Sequence, residues 1–486
     1  MAKYLHMDER DIPSLLRKRD EKSINVLYKF IVDKKHLDII KFYICKNDYE
    51  NDGTLSWLFG LLLCEEKNYD EGIKYYKKAC ALDCGEAFNS LGYLYNKGLG
   101  VKQDYRQARE YYEKASTMMN STAYNNLGNL YENGHGVIQD YTQAREYYEK
   151  GYKLMDGYSC NRLGHLYKKG YGVKQSYKKA REYYEKGCQL NDASSYYHLA
   201  FTYDEGHGVK QDYKTAISLY EKACELNCHE AFNNLAIIYK RGLGVKVDYV
   251  KAKELYEKAL ELGNMMAYGN LAILYRNGFG VEKNIQEEKY LYECAIEAGS
   301  AQTYSSLAYM YRCGDGVEKN IEKAIELCKK GCEVGSIDSF DHLIRMYQDD
   351  DISLKPEEII KICNQACDKG YHEFYGKLGY FYHHGLYVER DLQKAIEMYE
   401  KACNAGYKYF TCLYQLLYDK KNFIKASDVL YRAKEINDDI SYFINHKLMS
   451  VLSKSNRIRN HIKQTVMSAS TIGKCDLDIS IVINMM

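Results

Sequence analysis

One period governs this chain: from Gly85 to Ser336 the sequence divides into seven blocks of 36 residues with no insertion or deletion. That length is too long for a helix or strand pattern. It fits one supersecondary unit that buries its apolar face only by stacking on copies of itself. Leu91, Leu127, Leu163, Leu199, Leu235, Leu271 and Leu307 form one column, and Tyr95, Tyr131, Tyr167, Tyr203, Tyr239, Tyr275 and Tyr311 form another. A third holds Ala108, Ala144, Ala180, Ala216 and Ala252, breaks at Glu288 and resumes at Ala324.

Within one block Phe88, Leu91, Gly92 and Tyr95 fall at i, i+3, i+4 and i+7, which predicts one face of a first helix. Ala108, Tyr111, Tyr112 and Ala115 predict the buried face of a second helix, and the small columns mark close helix approach. Between the two lies Gly98-Leu99-Gly100-Val101, which returns with Gly134 and Gly136, Gly170 and Gly172, Gly206 and Gly208, Gly242 and Gly244, Gly278 and Gly280, and Gly314 and Gly316. A Gly-X-Gly loop before a helix can cradle a phosphate, but an active site needs one such loop. Seven copies at a fixed period point to a turn that every unit requires, with glycine supplying positive φ. Asp104, Asp140, Asp212 and Asp248 stand where the second helix begins, as N-caps or first-turn acids.

The pattern A-x-N-x-L-G-x-L-Y-x-x-G-x-G-V-x-x-D-Y-x-x-A-x-x-Y-Y-E-K-A closely resembles the Sel-one-like repeat, a relative of the tetratricopeptide repeat with a longer inter-helix loop. The resemblance implies an all-α fold, a right-handed superhelical solenoid of antiparallel helix pairs whose first helices line a concave surface. It also implies an adaptor that assembles protein complexes. Around the seven regular repeats of 85–336 we expect an N-terminal helical cap over 1–52, with a helix pair at 24–45, and a tetratricopeptide-like unit over 53–84. Two divergent repeats follow over 337–407. In the first, Gln348-Asp349-Asp350-Asp351 replaces the glycine loop, Pro356 opens the next helix and a bend is expected; in the second, Tyr387 takes the second glycine place after Gly385. A C-terminal tetratricopeptide-like unit over 408–439 and a tail over 440–486 complete the plan.

Lys plus Arg at 68 against Asp plus Glu at 67 leaves a net charge of +1, so no global field draws nucleic acid or an anionic membrane. The charged opening MAKYLHMDERDIPSLLRKRDEK has no secretory apolar core, and LSWLFGLLLC at 55–64 is too short to span a bilayer. An intracellular, cytoplasmic protein without membrane insertion is the expectation. The 17 cysteines then read as small buried residues. A cysteine-rich, secreted branch of the resembled family bridges a cysteine ending one unit to another eight residues later. Here Cys80, Cys188, Cys224 and Cys332 are followed at that spacing by Phe88, Tyr196, Phe232 and Phe340, so those disulfides are not carried over.

No Cys-x-x-Cys occurs, and Cys224, Cys228 and His229 are the nearest approach to a zinc set. His372 and His383 stand about 16 Å apart along one helix at a rise of ~1.5 Å per residue, and His383 and His384 point in different directions. There is no nucleophile elbow, kinase signature or zinc-protease helix, and acids such as Glu110 and Glu113 recur as solvated faces. We therefore expect no enzyme, no cofactor and no metal. Most of the 52 tyrosines occupy repeat columns and read as core.

What varies is the first helix's outward turn. One stripe runs Tyr93, Asn129, His165, Phe201, Ile237, Ile273, Tyr309; its neighbour runs Asn96, Glu132, Lys168, Asp204, Lys240, Arg276, Arg312 and turns basic from Lys240 onward. The resemblance to the tetratricopeptide fold implies that these positions face the groove, and they suit a protein or peptide partner with an apolar segment followed by acidic residues. The alternatives are a hydrolytic or small-ligand-binding repeat protein and a nucleic-acid-binding solenoid.

Overall fold

The computed structural model describes residues 21–32, 37–46, 51–348, 356–407 and 409–422, with the isolated positions 12, 15, 425, 426, 428, 429 and 432. Among the described residues there are 23 helices and no strand. The tail over 440–486, the acidic segment 349–351 and most of the expected unit beyond 422 lie outside them.

By its internal contacts the chain forms two compact units, Met1–Ala267 and Tyr268–Met486, with the division inside the helix Met266–Asn277. In the first, helices Glu21–Val32 and Leu37–Lys46 precede six pairs. Gly53–Glu65 packs with Tyr69–Ala81, Gly85–Lys97 with Tyr105–Thr117, and Ser121–Asn133 with Tyr141–Lys153. Gly157–Lys169 packs with Tyr177–Gln189, Ala193–Glu205 with Tyr213–Glu225, and His229–Arg241 with Tyr249–Glu261. In the second, Ile285–Glu297 precedes the pairs Thr303–Cys313 with Ile321–Glu333, Ile337–Gln348 with Pro356–Asp368, and Glu373–His384 with Leu392–Asn404. Phe410–Asp419 packs against the last of these. Each unit is an all-α solenoid of antiparallel helix pairs.

The glycine loop is structural, and its two glycines do different things. Gly134 caps the helix Ser121–Asn133 at φ +70, with its N–H bonded to the Leu130 carbonyl. There a side chain would be strained by the backbone alone. Gly136 lies against the preceding repeat, where an added Cβ would stand 2.5 Å from the Cβ of Tyr105. The ring of Tyr105 stacks on His135 at 4.8 Å, so the loop of one repeat seats on the second helix of the one before. Gln139 Nε2 donates to the Glu132 carbonyl at 2.8 Å, and Asp140 N–H donates to the Tyr131 carbonyl at 2.9 Å, which satisfies two acceptors at the helix end. The Asp140 side chain then accepts from Thr142 and Gln143 N–H, as Asp104 and Asp212 do at their helix starts and Asp248 does from Lys251 N–H.

The leucine and alanine columns are buried throughout, and the aromatic centre of the core is the column Tyr112, Tyr148, Tyr184, Tyr220 and Tyr256, each fully buried. The buried face of the first helix is turned slightly from the expected one. Ala87, Leu91 and Leu94 are buried, whereas Phe88 and Tyr95 are half-buried. Tyr95 and Tyr111 stack on each other at 5.5 Å along the edge of the core, as Tyr131 and Tyr147 do. An added Cβ at Gly92 would meet the Tyr112 ring at 2.6 Å, which is why a small residue stands where the paired helices cross.

Fifteen described cysteines are free thiols, and burial pushes Cys80, Cys188, Cys224 and Cys332 up to about 12. At neutral pH these groups are thiols and pack as small apolar side chains. Among the described residues no group of three or more His, Cys, Asp or Glu could hold a metal, and no helix is long and apolar enough to cross a membrane.

Candidate functional site

The outward turn of each first helix presents three columns. In the unit 1–267, Tyr93 is 46% exposed, whereas Asn129, His165, Phe201 and Ile237 are half-buried. In the unit 268–486, Ile273 and Tyr309 are exposed at 39% and 46%. The neighbouring stripe lies deeper: Asn96, Lys168, Asp204, Lys240, Arg276 and Arg312 are half-buried, and Glu132 is buried.

That depth has a cause. The residue of the second stripe stands sixteen positions before the core tyrosine and meets its hydroxyl. Tyr148 donates to Glu132 at 2.7 Å, Tyr220 donates to Asp204 at 3.1 Å, and Asn96 Nδ2 donates to the Tyr112 hydroxyl at 3.4 Å. The next first helix contributes a third group. Arg162 forms an ion pair with Glu132, and Asn234 Nδ2 donates to the Tyr220 hydroxyl at 3.2 Å. Burial raises the Asp204 carboxyl above its usual range, partly offset by the hydrogen bond from Tyr220.

Around Arg162 the chemistry is cationic and aromatic. His165 lies with Nδ1 3.9 Å from Glu132 and is held below its usual value by burial and by the charge of Arg162. His198 stacks on Tyr184 at 5.3 Å and is lowered to about 3 by burial and by Lys168, His165 and Arg162. Lys168 places its ammonium 4.4 Å from the centroid of the Phe201 ring. On the same face a cavity of about 460 Å³ is lined by Tyr93, Asn126, Asn129, Tyr158 and Arg162 among others. Tyr158 there donates to Asn129 Oδ1 at 3.1 Å.

In the unit 268–486 the same stripe carries Arg276, and its charge is already answered. Glu288, the residue that breaks the alanine column, is fully buried with Oε1 3.4 Å from Arg276 Nε. Asp315 takes Arg276 Nη2 at 3.0 Å. Burial raises the Glu288 carboxyl, with Arg276 opposing the shift. The irregular glutamate and the arginine of the stripe are thus two halves of one pair.

A family model described as the Sel1 repeat matches residues 55–84, 86–118, 121–154, 157–192, 193–228, 229–264, 266–300, 301–336 and 373–407, well over half of the sequence. The chain belongs to the Sel1 repeat family. Among solved structures it is similar to a protective antigen of uropathogenic Escherichia coli described as displaying an SLR fold. Identity there is 24%, covering 92% of this chain and 95% of that one, with a TM-score of 0.46. A Sel1 repeat protein from Oxalobacter formigenes is 29% identical over 49% of this chain and 98% of that one, with a TM-score of 0.46. Helicobacter pylori cysteine rich protein B is 31% identical over 26% of this chain and 90% of that one, with a TM-score of 0.22. A search of curated proteins gives no match.

Within this Sel1 solenoid the structure adds a column that the pattern did not single out: Ser90, Asn126, Arg162, His198 and Asn234, three residues before the first stripe. It reaches back to the repeat before it, as Arg162 to Glu132, Asn126 to Asn89 at 2.9 Å, and Trp57 Nε1 to Ser90 Oγ at 3.0 Å show. The signal was present, since these positions vary as much as the two stripes and share their helical face.

Proposed function

We propose that this Sel1 repeat protein is a non-enzymatic scaffold that holds protein or peptide partners on the first-helix faces of its units. The observation that carries this reading is the separation of roles within each repeat. Leucine, alanine, tyrosine and glycine columns are held for packing, while the outward turn of the first helix changes chemistry from block to block. Tyr93, Ile273 and Tyr309 are exposed there, and contacts of that kind suit several shallow anchors. Protein-interaction scaffolding is typical of the family. A net charge of +1 gives no reason to expect nucleic acid, and burial keeps thiols such as Cys80 and Cys188 protonated at neutral pH.

The test is native affinity capture with the wild-type chain, a Tyr93→Ser variant, and an Ile273→Ser, Tyr309→Ser variant, with circular dichroism to establish that each folds. A partner lost with one variant supports the reading and assigns the contact to that unit. Partners retained by both variants move the contact off the first-helix face. Nothing captured by any form counts against the scaffold.

A further inference from the structure

In the unit 1–267 the hydroxyls of the buried tyrosines are not all answered alike. Tyr148 has Glu132 and Tyr220 has Asp204, whereas the block between them carries Lys168 at the corresponding position and offers no acceptor. The Tyr184 hydroxyl is accordingly buried with no hydrogen-bond partner. Arg162 Nε, in the same block, is likewise buried without a hydrogen-bond partner. Lys168 lies over Phe201 and makes no ion pair among the described residues. His198 stacks on Tyr184 at 5.3 Å, so the next first helix packs against the same ring. The block thus holds an unanswered hydroxyl and an unpaired ammonium, and each can donate.

We infer that this gap is a docking site for a single carboxylate carried by an extended peptide partner, with apolar residues on either side of the acid. The inference rests on the scaffold reading and deepens it for one unit. The carboxylate would occupy the role that Glu132 and Asp204 fill in the flanking blocks, accepting from Tyr184 and pairing with Lys168. Arg162 already holds Glu132, so the charge left to attract the ligand is that of Lys168. One acid fits better than a run of them, because Glu132 and Asp204 stand on either side in the same column and Glu205 acts on Lys168. The aromatic ring of Phe201 beside the ammonium suits an apolar neighbour in the peptide.

The full-length chain would be titrated calorimetrically with acetyl-Ser-Leu-Glu-Leu-Ser-amide, with its Gln counterpart, and with inorganic phosphate. The same titrations follow on Lys168→Met and Tyr184→Phe variants whose folding is established by circular dichroism. The expected result is a preference of about tenfold for the Glu peptide, abolished in both variants while the Gln peptide binds unchanged. Equal binding of the two peptides, or none, overturns the inference. A preference that survives both substitutions overturns it by moving the carboxylate elsewhere, and phosphate binding as tightly through Lys168 and Tyr184 replaces the peptide with a free anion. Neither peptide result bears on capture through Tyr93 or Tyr309, so failure of this site and failure of the scaffold reading are separable.

Discussion

The repeats around Glu132 and around Arg276 carry opposite charges at the same place in the first helix, and both charges are neutralised from within. In the unit 1–267, Glu132 is the buried partner and draws its base from Arg162, thirty residues on in the next first helix. In the unit 268–486, Arg276 is the half-buried partner and draws its acid from Glu288 in the following second helix, where the other regular blocks have alanine. The first arrangement ties one repeat to the next; the second plants a carboxylate in the core. A count of lysines and arginines along the stripe therefore overstates the field it presents, because part of that charge is spent inside the stack.

The largest expected effect comes from breaking the second pair. Arg276→Ala leaves Glu288 buried without its cation and should cost about 3–5 kcal/mol, whereas Glu288→Ala restores the column residue and should be neutral or stabilising. The double variant should recover most of the loss. Chemical denaturation followed through the unit 268–486 measures all three, and a Glu288→Ala loss as large as that of Arg276→Ala would mean that the pair stabilises the core outright.

Next in size is a test of the tyrosines. Tyr148→Phe removes a hydroxyl bonded to a carboxylate and should cost about 1.5–3 kcal/mol. Tyr184→Phe removes one with no partner, so its melting curve should be unchanged or slightly raised. Equal losses would show that Tyr184 has a partner in solution and would erase the difference between acid-bearing and lysine-bearing repeats.

The constant columns should respond to volume and backbone, not charge. Gly134→Val places a branched side chain at φ +70 and should cost about 1–3 kcal/mol by thermal denaturation. Gly187→Ala should cost a similar amount, about 1–3 kcal/mol, because the new methyl would overlap Ser195 Oγ. Adding Ser195→Ala should return only part of that loss, because the Ser195 Cβ would still stand 2.6 Å from the new methyl.

That glycine and serine pair also marks the limit of what the sequence disclosed. The helices, the glycine turn and the aspartate caps are consequences of one residue at one place, so Leu91, Gly134 and Asp140 could each be understood alone. Gly187 with Ser195, Glu132 with Arg162, and Arg276 with Glu288 are agreements between residues eight to thirty positions apart. Each partner looks ordinary, or merely irregular, until packing brings it to the other. Glu288 was visible as a break in a column, but its reason lies across the helix pair. The stripes were found as variable positions; that one of them serves the core tyrosines depends on how far the second helix is rotated, which periodicity does not fix.

Acid separates the two regions in a further way. His198 is lowered from its ordinary 6.5 to about 3 by burial and by Lys168, His165 and Arg162. The unfolded chain binds that proton near 6.5 and the folded chain does not until about 3, so this contribution is fully present above 6.5 and is lost as the pH falls. The slope is about 1.4 kcal/mol per pH unit for one proton. Glu288 runs the other way. Burial raises its carboxyl above the ordinary 4.5, so its contribution is fully present below 4.5 and is lost as the pH rises through the raised value. Acidification from neutrality should loosen the repeats around His198, with the raised carboxyls of Asp192 and Asp204 opposing, while relieving those around Glu288. Amide exchange, corrected for intrinsic rates and read separately over 157–205 and 285–313, should show opposite trends, with His198→Phe flattening the first and Glu288→Ala the second. Parallel trends that survive both substitutions would place the acid response in other carboxylates and remove this distinction between the two regions.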